Sequence, residues 1–386
     1  MSLEVLIWIA LAVLLVMGTP IFVSLGMASI TVLLLSDIPL SLVMIDLIKV
    51  SDMFPLLAVV GFVFAGALME RGGMAAQIVE VASMLVGHIR GGLGIVTILG
   101  CMFFASMIGS GPGTVAAMGS IMIPSMIKRG YSPEYAAGVS ATGGTLGILI
   151  PPSIMLVFMG SAANVSVGQL FYGAIVPGLL LGAAYIVYIK IVAVVKKDYA
   201  PPMPAEQLAR YSRKQVIWGV IVNVLPVALV IFSVLGAIWL GWCPATEAAA
   251  LGVLASFLIA LLTHSINAQV IKKTLIESIK LTSMVYAVSA FGNLFVTVFM
   301  RLGCSNAVTN LFVHLPLGKW GLFALMMAVV FLLGFLMDWI AVCMITIPIF
   351  VPIATAAGFD ACYFLTMMAI IMQTAFLSPP MAASIF

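Results

Sequence analysis

The sequence predicts an all-α polytopic membrane protein built from two inverted-topology repeats, each with a re-entrant helical hairpin and a broken transmembrane helix. Three observations predict it. Of the 386 residues, 64% are hydrophobic and only 8% charged, with mean hydropathy +1.28. That composition excludes a soluble domain. Two apolar stretches then contain breaks. Residues 106–114 read Ser-Met-Ile-Gly-Ser-Gly-Pro-Gly-Thr, and residues 143–153 read Gly-Gly-Thr-Leu-Gly-Ile-Leu-Ile-Pro-Pro-Ser. Proline lacks the amide donor and disfavours helix in the residue before it, so neither stretch is continuous helix. Unwound backbone at membrane depth survives only when buried in protein or lining a wet cavity, as in secondary transporters. Finally, an ungapped offset of 228 residues pairs Pro124 with Pro352, Gly130 with Gly358, Tyr135 with Tyr363, and Pro151-Pro152 with Pro379-Pro380.

Taken in order, Leu3–Leu35 is too long for one span, and Gly18-Thr19-Pro20 divides it into two helices. The N-terminus has no basic segment, so the first run reads as a membrane helix rather than a cleaved signal. An acidic loop, Ser36–Asp52, precedes a span from Phe54 to Met69 that ends at Glu70-Arg71. Gly72–Gly87 is amphipathic and suits the interface. Gly91–Met126 is the first hairpin, Pro133–Ala163 the first broken helix, and Gln169–Val195 a further span. Together residues 1–195 make the first repeat. Lys196–Lys214, with three prolines and several basic residues, is a polar linker. In the second repeat, residues 215–386, the spans are Gln215–Leu240 and Thr246–Leu262, then an amphipathic piece with Lys272, Lys273 and Lys280, then Thr282–Met300. Lys319–Ala357 is the second hairpin, and Ala361–Phe386 the second broken helix. Phe386 is the counterpart of Phe158, so nothing here matches the span Gln169–Val195; either the chain is truncated or that helix is dispensable.

Charge sets the orientation, because basic residues mark cytoplasmic loops. Arg90 and Lys128-Arg129 flank the first hairpin on both sides, so it enters and returns from the cytoplasm. Lys196–Lys214 and Lys272–Lys280 are also inside. The second hairpin, flanked by Lys319 alone and by Asp360, enters from outside, where the N-terminus and the acidic loop also lie.

Gly109–Thr114 is not a phosphate cradle, for it lacks the following lysine and a preceding strand. It is either a tight packing turn or a cation site. The hydroxyls of Ser106, Ser110 and Thr114 join carbonyls freed by Gly and Pro, and sodium prefers such neutral oxygens. Asp338 is the one charge in Phe331–Phe350. A lone carboxylate at that depth costs roughly 2.5–3.5 kcal/mol, which a bound cation offsets more directly than a structural hydrogen bond. Glu247, just after Pro244, reads as a first-turn acid matching the helix dipole. His88, His264 and His314 are far apart, and the five cysteines, without a CxxC, read as small buried hydrophobes. No Ser/His/Asp order, HExxH or paired membrane aspartates support an enzyme. A channel calls for a continuous polar stripe, whereas polar residues here gather at two breaks. Sodium is favoured over protons because proton relays need chains of Asp, Glu or His.

Ser106–Pro124, Gly138–Ser153, Cys243–Ala250, Leu336-Met337-Asp338 and Gln373–Pro380 together resemble the large membrane subunit of tripartite ATP-independent periplasmic (TRAP) transporters, from the first helix to Phe386. The resemblance implies an elevator-type, sodium-coupled importer in a bacterial or archaeal inner membrane. It implies an organic-acid substrate, a periplasmic binding protein and a small four-helix membrane subunit as partners in the lipid bilayer, with no nucleic acid and no cofactor besides sodium as coupling ion. By the same resemblance, a first sodium site comprises Ser106, Ser110, Gly144, Thr145, Gly147 and Pro151. A second comprises Gly334, Asp338, Thr374, Ser378 and Pro379, and substrate contacts fall on Thr114, Thr145, Pro152, Ser153 and Pro380. The chain departs from the family pattern at Ile108 and Gly111, and at Met381-Ala382. A binding-protein-independent sodium/carboxylate symporter of similar architecture is the alternative.

The charge pattern makes a direct prediction. Arg90→Cys and Lys128→Cys label only from the cytoplasm with an impermeant thiol reagent, and Asp360→Cys only from outside. Opposite-side labelling of positions 90 and 128 eliminates the re-entrant hairpin.

Overall fold

The computed structural model describes residues 3–86, 88–108, 111–196, 198–202, 213–304, 317–379, 382 and 384–385; within these, the side chains of 75, 76, 105–108 and 213 are outside the description. Gly18, at φ +75°, and Pro20 separate α1 (Leu3–Val16) from α2 (Ile21–Leu34). There follow α3 (Ser41–Ser51), α4 (Phe54–Arg71) and α5 (Met74–Val86). Helices α6 (Gly92–Ile108) and α7 (Gly111–Lys128) pack on each other as the first hairpin. Then comes α8 (Pro133–Thr145), which tightens into a 3₁₀ turn at Leu146–Ile148. The chain resumes as α9 (Ile154–Ala163) and α10 (Val167–Val195).

The second half begins with α11 (Arg213–Gly219), which passes through a π turn (Val220–Val224) into α12 (Leu225–Trp239). Helices α13 (Ala245–Leu262) and α14 (Ala268–Arg301) lead to the second hairpin, α15 (Lys319–Leu336) and α16 (Trp339–Ala356). Helix α17 (Ala361–Met372) ends in a 3₁₀ turn at Gln373–Phe376. Among the described residues there is no strand, and seven helices are long and apolar enough to cross a membrane: α4, α10, the α11–α12 run, α13, α14, α15 and α16.

The 228-residue offset recurs in local geometry. Each hairpin ends in a glycine of nearly identical positive φ, +83° at Gly130 and +84° at Gly358. Two residues later an N-cap accepts from a tyrosine amide, Ser132 from Tyr135 at 3.4 Å and Asp360 from Tyr363 at 2.9 Å. Each capped helix then tightens into a 3₁₀ turn before its Pro-Pro pair.

Two apolar cores follow from the packing. One gathers α5, α6, α7 and α8; the other gathers α1–α4, α9 and α13–α17. The two parts of the first broken helix therefore separate: α8 packs on α6 and α7, whereas α9 packs on α4 and α16. Along α4 and α13 small residues let the backbones approach, as is usual where lipid offers no hydrophobic drive.

Three expectations need correction. The acidic loop Ser36–Asp52 contains α3, because Leu42, Asp46 and Val50 fall on one face and are buried. Asp46 is tolerated there beside Lys49, one turn on, at 3.4 Å. The lysine-bearing piece and the span Thr282–Met300 are one 34-residue helix, α14, since no Gly or Pro interrupts residues 268–291. The helical part of Ala361–Phe386 ends at Phe376, ahead of its prolines. All five cysteines are free, with Cys101, Cys304 and Cys343 buried.

A Cβ on Gly61 would stand 2.8 Å from the Ala249 Cβ and 3.2 Å from its carbonyl carbon. Gly61→Leu is therefore expected to pry α4 from α13, at about 1–3 kcal/mol. It lowers the melting temperature of the detergent-solubilised protein. Gly236→Ala, where a Cβ meets nothing within 4 Å, leaves it unchanged or higher.

Candidate functional site

The first hairpin tip and the first break are in backbone contact. A Cβ on Gly144 would collide with the Val115 side chain, and would lie 3.1 Å from the Val115 amide nitrogen and 3.2 Å from the Gly111 carbonyl oxygen. The second half also brings a hairpin arm close to its break, at a different position: a Cβ on Gly334 would lie 2.9 Å from the Ala375 Cβ, in the 3₁₀ turn of the second break. The two halves also cross. Gly111 at the first tip lies against Phe376 and Ser384, and the Phe158 ring of α9 meets Trp339 of the second tip edge-on, centroids 5.6 Å apart.

These crossings enclose a cavity of about 330 Å³. Gly111, Pro112 and Gly113 enter it from the first tip, and Asp338, Trp339 and Ile340 from the second. Phe376 comes from the second break, while Glu70 of α4 and Glu277 of α14 close the far side. Glu277 is ion-paired to Arg71, whose Nε stands 3.0 Å from Oε2. Both partners are partly exposed, so the pair contributes at most roughly 1 kcal/mol. Asp338 is the N-cap of α16; its Oδ2 accepts from the Ile340 amide at a long 3.4 Å. That leaves most of its acceptor capacity toward the cavity.

The remaining expected residues divide. Gly147 is buried in the 3₁₀ turn. Thr145 is fully buried, and its hydroxyl donates to the Thr142 carbonyl at 2.8 Å. Thr114 is buried in the first turn of α7, behind the tip. Thr374 donates to Ile371 at 2.7 Å; Ser378 is partly buried and Pro379 exposed. Ser153 is committed locally: it caps α9 and donates to the Ile148 carbonyl. Pro151 and Pro152 face two other apolar cavities, toward Met102 and Trp239 and toward Phe62 and Met69, rather than the cavity between the tips. Ser106 lies in α6 with its side chain outside the description, and Ser110 and Pro380 lie outside the described residues.

Sequence reasoning missed five residues. Glu70 and Arg71 read only as the end of a span, and Glu277 carries no local signal of its own. Gln373, 4% exposed, has neither side-chain oxygen nor nitrogen partnered among the described residues, and the buried Ser384 hydroxyl is likewise unpartnered. Gln373 falls on Thr145 under the 228 offset, a signal that was available; Ser384 had none.

The family model for the DctM component of tripartite ATP-independent periplasmic transporters matches residues 8–386. The chain is 37% identical to the C4-dicarboxylate TRAP transporter large permease protein DctM of Pseudomonas aeruginosa, over 94% of this chain and 84% of that protein. It is 34% identical to the protein of the same name from Vibrio cholerae, over 99% of this chain and 87% of that protein. Its fold is similar to that of the MtrF protein of Neisseria gonorrhoeae, with a TM-score of 0.63 at 15% identity over 91% of this chain and 77% of that one. With tips, breaks and apolar spans disposed as described, the chain belongs to the DctM family of TRAP transporter large permeases, multi-pass proteins of the inner membrane.

Proposed function

We propose that this permease carries a small organic anion inward by sodium-coupled, elevator-type alternating access. The supporting observation is the convergence of both tips and both breaks on one cavity. The two halves, residues 1–195 and 215–386, are read as oppositely oriented repeats joined by the linker at 196–214. Dicarboxylates are the favoured substrate class, since two relatives are named for C4-dicarboxylates. The anion comes from a periplasmic binding protein, and a small four-helix membrane subunit steadies the permease.

Charge explains why cations accompany the anion. The three ionisable side chains that line the cavity, Glu70, Glu277 and Asp338, are all carboxylates. A dianion entering alone meets more carboxylates than cations, since Arg71 is already paired with Glu277, and that is unfavourable at short range. Sodium ions held at the breaks reverse that sign. Each net positive charge moved inward also gains roughly 2.3 kcal/mol per 100 mV, so sodium in excess of the anion's charge drives uptake without nucleotide.

Two outcomes test this. Reconstituted with both partner proteins, the permease takes up dicarboxylate only with a sodium gradient; reconstituted alone it does not. Sodium-driven uptake by the permease alone reassigns it as a stand-alone symporter. Asp338→Asn preserves size and capping but removes the charge, and raises the sodium concentration for half-maximal uptake at least about tenfold, the worth of one charged interaction. Ser110→Ala acts in the same direction but less. Unchanged sodium affinity and stoichiometry in Asp338→Asn would make Asp338 a structural acceptor.

A further inference from the structure

A second cavity, of about 520 Å³, lies between α8 and α10, apart from the one shared by the tips. Tyr135, Thr142, Tyr185 and Tyr188 line it among the described residues, with the exposed Glu134 near the start of α8. Tyr135 lines this space and is 9% exposed, while its hydroxyl is buried beside Gly94 with no hydrogen-bond partner among the described residues. A buried phenol left so is unfavourable unless water or a ligand reaches it. At the deep end, Thr142 of the lining accepts through its carbonyl from the Thr145 hydroxyl at 2.8 Å, where α8 gives way to the first break. Polar residues thus run from Glu134 through Thr142 to Thr145. Eleven helical residues separate the first from the last, about 16 Å along α8.

We propose that this cavity is a hydrated vestibule through which sodium passes between the Lys128–Arg129 face of the protein and the first break, with the Tyr185 side chain and the Thr142–Thr145 hydrogen bond as its inner partition. The idea rests on the reading of the first break as a cation site. The lining suits a small cation and not an anion: it holds one carboxylate, hydroxyl oxygens and aromatic faces, with no lysine or arginine among its described residues. The coupling ion and the organic anion then use different doors, the anion moving through the cavity between the tips.

Gly138 lines the vestibule, and a Cβ there meets nothing within 4 Å, so a small side chain enters without displacing its neighbours. The test uses Gly138→Cys in the intact transporter with its partners, in membrane vesicles, with the parent chain and its five native cysteines as background. A positively charged, impermeant thiosulfonate is expected to modify the introduced thiol from the Lys128 side. Saturating sodium slows that reaction about threefold or more against choline, and Tyr185→Phe abolishes the sodium effect while leaving access intact. In uptake, Tyr185→Phe shifts half-maximal sodium roughly three- to tenfold, the effect of one hydrogen bond, without moving half-maximal dicarboxylate at saturating sodium. Modification by an apolar maleimide alone means that lipid fills the groove and overturns the proposal. So does charged-reagent modification at a rate indifferent to sodium. If uptake by the parent is itself independent of sodium, the coupling reading falls and the vestibule with it; if it is sodium-dependent and the introduced thiol reacts regardless of sodium, only the vestibule falls.

Discussion

The contact of Gly144 with the Gly111 carbonyl and the Val115 amide governs how the other elements are arranged. Backbone that has left the helix cannot face lipid, because each unpaired polar group costs several kcal/mol there. It must lie against other protein. At Gly144, in the last turn of α8, the approach to the first turns of α7 is so close that no Cβ fits, which holds the first break against the tip. The same need recurs where Gly334 meets Ala375. The two sites are solutions to one problem, met twice in one chain.

The crossing of the halves follows from it. Each tip needs cover that its own break does not wholly provide. Gly111 takes cover from Phe376, and Trp339 from Phe158. For this, α9 has to leave α8 and pack on α16, so the first broken helix joins both apolar cores. The cavity between the tips is the space these crossings enclose, and three carboxylate side chains are among its described lining.

Much of the fold was legible because its signals are local. Turn glycines, caps and proline pairs act within a few residues, and they recur at a fixed offset with almost the same backbone angles at Gly130 and Gly358. The helices therefore run Gly92–Ile108 and Gly111–Lys128 on either side of the first tip and Lys319–Leu336 and Trp339–Ala356 on either side of the second. The failures have equally definite causes. Asp37, Asp46 and Asp52 made residues 36–52 read as a loop, but the apolar positions Leu42 and Val50, buried on one face with Asp46, make a helix. Lysines in α14 suggested a separate interfacial element, yet charge alone does not stop a helix in a segment free of Gly and Pro.

Residue order is enough to establish that the chain is helical and membrane-spanning, where it unwinds, and that the unwinding occurs twice in equivalent places. These are consequences of composition and of proline and glycine chemistry, which act without reference to distant parts of the chain. Which of the expected residues share a space is settled only by folding. It turned Pro151 and Pro152 to other cavities, used the Ser153 hydroxyl for a cap, and brought Glu70, Glu277 and Asp338 to one cavity although more than 200 residues separate the first from the second. Side-chain direction after a break depends on how the following helix packs. That packing is set by contacts between the halves, so no local pattern encodes it.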